Sequence, residues 1–211
     1  MKTGKIDNFL SQDFIKWLNS YWDQLPKTDD GLRYNAEAYY EQDWNVELRK
    51  NIDDAVAKHF PDTRVTYCQL YSDYAPGGIH TDGWIDEEQP DMMYTILAPI
   101  SMNYPFCSTV IFNEESEKAV SYNRATGLGD KGVVSYEQID LPQDKTIGKD
   151  FIDVYLKHLE VDTLPLTLNS VLYWNVGGAI YWPRKKFHAS SWFPAENIDR
   201  KAIVIHTNAK R

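Results

Sequence analysis

The sequence Tyr74-Ala75-Pro76-Gly77-Gly78-Ile79-His80-Thr81-Asp82 ends a β-patterned run with one proline and two glycines, then sets a histidine and an aspartate two residues apart. On an extended chain, residues two apart project to the same face. His80 and Asp82 therefore aim one imidazole and one carboxylate at a common point. They supply two of the three ligands of a 2-His-1-carboxylate facial triad, the set that suits non-haem Fe(II). The third must come from elsewhere in the chain. His188 is the leading candidate, in the strand-like segment Lys186-Phe187-His188-Ala189-Ser190 that follows the Gly177-Gly178 turn. His206, in a second strand-like segment, competes for the role.

Twelve positions past His188, Arg200 opens the apolar run Lys201-Ala202-Ile203-Val204-Ile205-His206. A buried arginine needs an anionic partner, and its planar fork suits a carboxylate. Alternation places Arg200 on one face with small Ala202, which leaves room for a ligand. Lys201 shares the opposite face with Ile203 and Ile205, so Arg200 is favoured over Lys201 as the cation that enters a barrel.

Working outward, Arg64–Tyr74 is rich in Val, Thr and Tyr and alternates as a strand does. Met92–Ile100, Ser108–Asn113, Leu164–Asn175, Phe187–Phe193 and Lys201–Thr207 are further strand candidates. Short strands divided by Pro, Gly and Asn turns predict an antiparallel sandwich or barrel. Residues 1–62 read as a helical part. Ser11 caps a helix with Phe14, Trp17, Leu18, Tyr21, Trp22 and Leu25 at helical spacing and Pro26 as its stop, and a second helix is expected over Asp43–Phe60. Between Glu114 and Leu164 the strand signal fades, apart from an amphipathic pattern through Phe151, Ile152, Tyr155, Leu156 and Leu159. That stretch is expected to be an insertion between core strands.

The 211 residues fit one domain, 43% of them hydrophobic and 25% charged, enough apolar content for a core. With 22 basic and 31 acidic residues the net charge is −9, which disfavours binding to a phosphate backbone. Two cysteines, Cys68 and Cys107, make no disulfide framework. No apolar run is long enough to span a membrane, and the first ten residues lack a signal-peptide core, so the expectation is a soluble cytoplasmic protein. Aromatic residues reach 14%, with 14 Tyr and 7 Trp. Trp84, Trp174, Trp182 and Trp192 are expected mainly in the core, and His59 and His158 on the surface.

The ordered segments resemble the 2-oxoglutarate/Fe(II)-dependent dioxygenases, and within them the prolyl-4-hydroxylase-like branch. Ile6-Asp7-Asn8-Phe9-Leu10-Ser11 before a helix is similar to that branch's opening. Tyr74-x-Pro76-Gly77 followed by His80-x-Asp82 is similar to its strand, turn and metal motif. Ser108-Thr109-Val110-Ile111-Phe112 is similar to a later core strand, with the usual Gly and Glu replaced. The resemblance implies an α+β fold with a double-stranded β-helix (jelly-roll) core, the N-terminal helices packed on it and the 114–164 insertion within it. It implies that His80, Asp82 and His188 bind Fe(II), that Arg200 holds the distal carboxylate of 2-oxoglutarate, and that Tyr74 adds a hydroxyl to the cosubstrate pocket. Tyr94 and Thr95 match the family's second cosubstrate tyrosine only loosely. The implied activity uses O2, converts 2-oxoglutarate to succinate and CO2, and hydroxylates a peptide side chain or a small molecule. The presence of Asp82 favours hydroxylation, since halogenating relatives lose that carboxylate. Two other readings stand beside it: a non-catalytic jelly-roll module that binds carbohydrate on aromatic platforms, and a Zn(II) or Ni(II) site with non-oxidative chemistry.

Overall fold

Strand alternation decides which side chains face which layer. A computed structural model describes residues 1–36, 46–82, 91–116, 120–121, 137–138, 146–194 and 198–210. In chain order the elements are β1 (Gly4–Ile6), α1 (Gln12–Gln24), β2 (Lys27–Asp29), β3 (Arg33–Ala36), α2 (Val46–His59), β4 (Thr63–Asp73), β5 (Met92–Met102) and β6 (Ser108–Glu115). There follow β7 (Val120–Ser121), β8 (Glu137–Gln138), α3 (Lys149–Tyr155), β9 (Leu168–Tyr173), β10 (Ala179–Pro183), β11 (Lys186–Ser190) and β12 (Arg200–Ala209). A large sheet has the order β1-β10-β5-β12-β4-β3-β2, and a small one the order β11-β6-β9; every pairing in both is antiparallel.

The inner faces of the two sheets meet in one apolar cluster. Tyr71, Leu97, Ile180, Trp182 and Ala202 come from the large sheet, and Ile111 and Leu172 from the small one. The alternate residues Leu70, Ile96, Ala98, Ile203 and Ile205 point the other way, onto Phe14, Leu18, Trp22, Leu48, Ile52 and Val56 of the two long helices. Ser11 starts α1 by accepting a bond from Phe14 N at 3.2 Å, as a helix N-cap does. The outer face of the small sheet, Val110, Phe112, Phe187 and Ala189, is covered by Ile152, Leu156 and Leu159. Two sheets covered on both outer faces by helices form an α+β jelly roll, the fold the sequence predicts.

The elements depart from the sequence expectation in particular places. The first 62 residues are not all helical. Asp29 and Asp30 turn the chain by accepting bonds from Gly31 N, Leu32 N and Arg33 N, and the resulting β2–β3 hairpin extends the large sheet beside β4. The second helix runs Val46–His59; residues 43–45 of the predicted span lie outside the described residues. Strand β10 has no sequence expectation, because Pro183 and the basic run Arg184-Lys185-Lys186 mask a five-residue strand behind a turn-like pattern. Residues 117–119, 122–136 and 139–145 of the expected insertion lie outside the described residues. Its amphipathic pattern does fold as expected, as α3 and a 3-10 turn at Lys157–Leu159.

Candidate metal centre and acid-binding pocket

Backbone pairing brings the two halves of the His-x-Asp motif to the distant histidine. After Asp73 the chain leaves the large sheet through Pro76-Gly77-Gly78. His80 then pairs with His188 of β11, His80 N donating to His188 O at 3.0 Å and His188 N to His80 O at 2.9 Å. Asp82 N extends the pairing to Arg184 O at 3.2 Å. Ile79, Phe187 and Ala189 point outward into the α3 cluster, so alternation turns His80, Asp82 and His188 inward together.

One donor atom from each of His80, Asp82 and His188 lies within 4.8 Å of the others. His188 Nε2 is 3.4 Å from Asp82 Oδ2, and His80 Nε2 is 3.9 Å from Asp82 Oδ1. Gly78 O is 2.9 Å from His80 Nδ1, and Lys186 O is 3.2 Å from His188 Nδ1. A carbonyl only accepts, so each Nδ1 carries a proton, and Nε2 is the ring atom that each histidine turns toward the cluster. Thr95 Oγ1 donates to Asp82 Oδ2 at 2.5 Å. Burial pushes His80 down to about 4, where it is neutral at physiological pH, with His188 adding to the effect. Burial would raise Asp82, but His188, His206, His80 and the Thr95 bond hold it well below the usual carboxylate range. Two imidazole lone pairs and an ionised carboxylate form a donor set for a borderline divalent cation.

The surrounding polar groups hold Asp82 in place. Arg184, fully buried, donates through Nη2 to Asp82 O and through Nη1 to Asn208 Oδ1, both at 2.9 Å. His206 lies on the inner face of β12, its ring tilted against Tyr67 at 5.1 Å between centroids, with Nε2 at 3.9 Å from Asp82 Oδ1. It approaches Asp82 but does not join the three-residue cluster. Trp182 packs against His188 at 4.7 Å between ring centroids.

Arg200 is fully buried on the same inner face of β12, while Lys201 points to Asp199 at 3.5 Å. Trp174 covers the Arg200 guanidinium at 3.8 Å and Phe193 at 4.4 Å, so its edge is the part left for polar contact. Asp73 Oδ2 lies 3.3 Å from Arg200 Nη1, yet Nε, Nη1 and Nη2 all lack a hydrogen bond among the described residues. A buried guanidinium with unfilled donors calls for an acceptor, and a carboxylate fits it. Tyr71 projects from β4 into this interior. Its ring lies under Arg33 at 4.8 Å, in the same cluster as Trp174, Trp182 and Ala202, and burial raises its phenol.

The structure does not bring Tyr74 to this group. The last inward residues of β4 are Tyr71 and Asp73; at Tyr74 the chain has left the sheet, and its hydroxyl donates to Asp29 Oδ1 at 2.5 Å beside Tyr34. Tyr94 faces outward against Phe60 and Tyr181. His158 is not a surface residue. Its Nε2 lies 3.2 Å from Gly77 O, and burial pushes it down to about 4. Trp84 lies outside the described residues, Trp174 and Trp182 are buried, and Trp192 is half-buried under Lys157.

Sequence reasoning missed Arg184, Tyr71 and Asp73, and considered Thr95 only as a loose match to a cosubstrate tyrosine, whereas its hydroxyl bonds Asp82. Strand parity was the available signal for Tyr71 and Asp73, which share a face two residues apart. Arg184 gave none, because it heads a basic triplet that resembles a solvated turn.

No protein-family model matches the sequence, and no curated protein matches it. Solved structures match the fold. HygX from Streptomyces hygroscopicus, solved with nickel and 2-oxoglutarate bound, aligns over 99% of this chain and 83% of its own at 11% identity, TM-score 0.57. An oxidoreductase of the 2OG-Fe(II) oxygenase family from Burkholderia pseudomallei aligns over 98% and 84% at 10% identity, TM-score 0.55. The epimerase SnoN, in complex with Fe3+, alpha ketoglutarate and nogalamycin RO, aligns over 98% and 78% at 7% identity, TM-score 0.55. This chain thus shares the jelly-roll fold of these structures.

Proposed function

We propose that the protein is an Fe(II)- and 2-oxoglutarate-dependent oxygenase that hydroxylates an organic substrate, a peptide side chain or a small molecule. The observation that carries this reading is the convergence of His80, Asp82 and His188 on one point of a jelly-roll interior, with a buried arginine edge facing the same interior. His80, Asp82 and His188 hold the metal, and their donor set fits it. Arg200 binds the distal carboxylate of the 2-oxo acid, whose acceptors complete the unfilled N–H groups. Tyr71, in place of Tyr74, offers the pocket hydroxyl. With O2, Fe(II) and 2-oxoglutarate supply the oxidative decarboxylation that drives C–H oxidation. The chain's own share is positioning. Thr95 and Arg184 fix the Asp82 carboxylate and its peptide, and Trp182 walls the His188 ring from water. The placement within the prolyl-4-hydroxylase-like branch rests on the Tyr74–Asp82 motif and the N-terminal opening.

The test is an anaerobic titration of the metal-free protein with Fe(II) and 2-oxoglutarate, following the visible iron-to-keto-acid charge-transfer band. The band is expected in the wild type, and to weaken in His80→Ala and in Arg200→Ala. A folded wild type without the band overturns the oxygenase reading.

A further inference from the structure

Arg200 does not meet the pocket as a bare cation. Asp73, 2% exposed, stands between two guanidinium groups: its Oδ2 is 3.3 Å from Arg200 Nη1, and its Oδ1 is 3.3 Å from Arg33 Nε. Arg33 lies over the Tyr71 ring at 4.8 Å and has a second carboxylate, Asp30, at 3.9 Å. Asp73 and Arg200 thus form a buried ion pair, with Arg33 and Asp30 at its partly exposed end. Asp73 comes from β4 and Arg200 from β12, neighbouring strands of one sheet, so the pair is built into the core register.

We propose that Asp73 is a selectivity residue of the 2-oxo-acid pocket: its buried carboxylate offsets the charge of Arg200, so the protein gains little affinity from a second carboxylate on its cosubstrate. The proposal rests on the oxygenase reading above, in which Arg200 faces the 2-oxo acid. A distal carboxylate reaching Arg200 enters the field of Asp73 as well as that of the guanidinium. Two like charges about 5 Å apart in a partly screened interior cost on the order of a hundredfold in affinity, which cancels much of the attraction to Arg200, while Arg33 on the other oxygen of Asp73 returns part of it. A 2-oxo acid of the same chain length but with a methyl end avoids that repulsion, at the cost of leaving the Arg200 N–H groups without an acceptor. The 2-oxo and 1-carboxylate groups, which chelate the metal, are common to both acids, so their affinity ratio isolates the distal group.

The experiment compares 2-oxoglutarate with 2-oxopentanoate by anaerobic titration of the Fe(II)-loaded protein, reading the charge-transfer band as binding rather than turnover. The wild type is expected to prefer 2-oxoglutarate by less than about tenfold, and Asp73→Asn to raise that preference at least about tenfold through tighter 2-oxoglutarate binding. A wild-type preference above about tenfold overturns the proposal without needing the variant to fold. So does an Asp73→Asn protein whose preference is unchanged or lower, which would make Asp73 a support for Arg200. A folded wild type that binds neither acid overturns the oxygenase reading itself, and the selectivity proposal with it.

Discussion

Replacing Thr95 by Val removes one hydroxyl from the candidate metal centre and keeps the β-branched shape. Thr95 is 1% exposed, and its hydroxyl donates to Asp82 Oδ2 at 2.5 Å, a charge-assisted bond to a buried carboxylate. Bonds of this kind contribute about 1.5–3 kcal/mol, and the carboxylate left behind in Thr95→Val is too enclosed for water to replace the donor fully. The metal-free variant should therefore lose about 2 kcal/mol of unfolding free energy in urea, with an unchanged m-value. The larger effect is expected on the metal. Outer-shell bonds that orient a ligating carboxylate are worth roughly 10–100-fold in affinity, and this bond fixes the torsion of Asp82 directly. Competition against a chromophoric chelator, with Co(II) or Zn(II) as well as Fe(II), measures the shift without reference to turnover. A Thr95→Val protein that loses stability but keeps wild-type metal affinity would refute the reasoning, since Asp82 would then need no such restraint to serve as a ligand.

Three further outcomes follow from the same geometry. Tyr71→Phe should weaken 2-oxoglutarate binding by about tenfold, whereas Tyr74→Phe should leave it unchanged; the opposite pattern in the charge-transfer titration would return the pocket hydroxyl to Tyr74. Leu18→Ala, in the cluster between α1 and the large sheet, should cost about 2–5 kcal/mol in urea without altering metal affinity. His158, pushed by burial down to about 4 from an ordinary value of 6.5, is neutral when folded and takes up a proton more readily when unfolded. Its contribution is complete above pH 6.5 and is lost as the pH falls through 4, so between those values the metal-free wild type should lose on the order of 3 kcal/mol more than His158→Gln, as read from urea midpoints at each pH.

The fold was legible because its strands are long enough for alternation to declare two faces. In β12 the order Arg200, Lys201, Ala202, Ile203, Val204, Ile205 already separates a helix-packed side from an interior side, and the structure keeps that division. The spacing of His80 and Asp82 carried the site for the same reason, since two residues along an extended chain return to one face. What stayed hidden depends on partners far away in sequence. Strand β10 is five residues long and takes its identity from β5 and β1, neither of which its own pattern reveals. Arg184 is buried because Asp82 O and Asn208 Oδ1 are there to accept from it, across 102 and 24 residues of sequence.

The placement of Tyr74 shows how a motif and a strand phase come to disagree. The motif marks Tyr74 by its distance from Pro76 and Gly77, but the side-chain direction at that point is set by β4, which ends at Asp73. Parity along β4 sends Tyr71 and Asp73 inward, and the turn begins before Tyr74 can take the next inward place. That phase puts a buried hydroxyl, Tyr71, and a buried carboxylate, Asp73, on the inner face and leaves Tyr74 off it. Desolvation raises the Asp73 carboxyl, and the chain holds that group in the core with Arg33 and Arg200 on either side. A buried carboxylate flanked by two guanidinium groups costs more to desolvate than a well-packed apolar residue of the same size. The pair as a whole is thus not explained by stability, although either partner is costly to remove once the other is buried; the selectivity proposed above gives the pair a use.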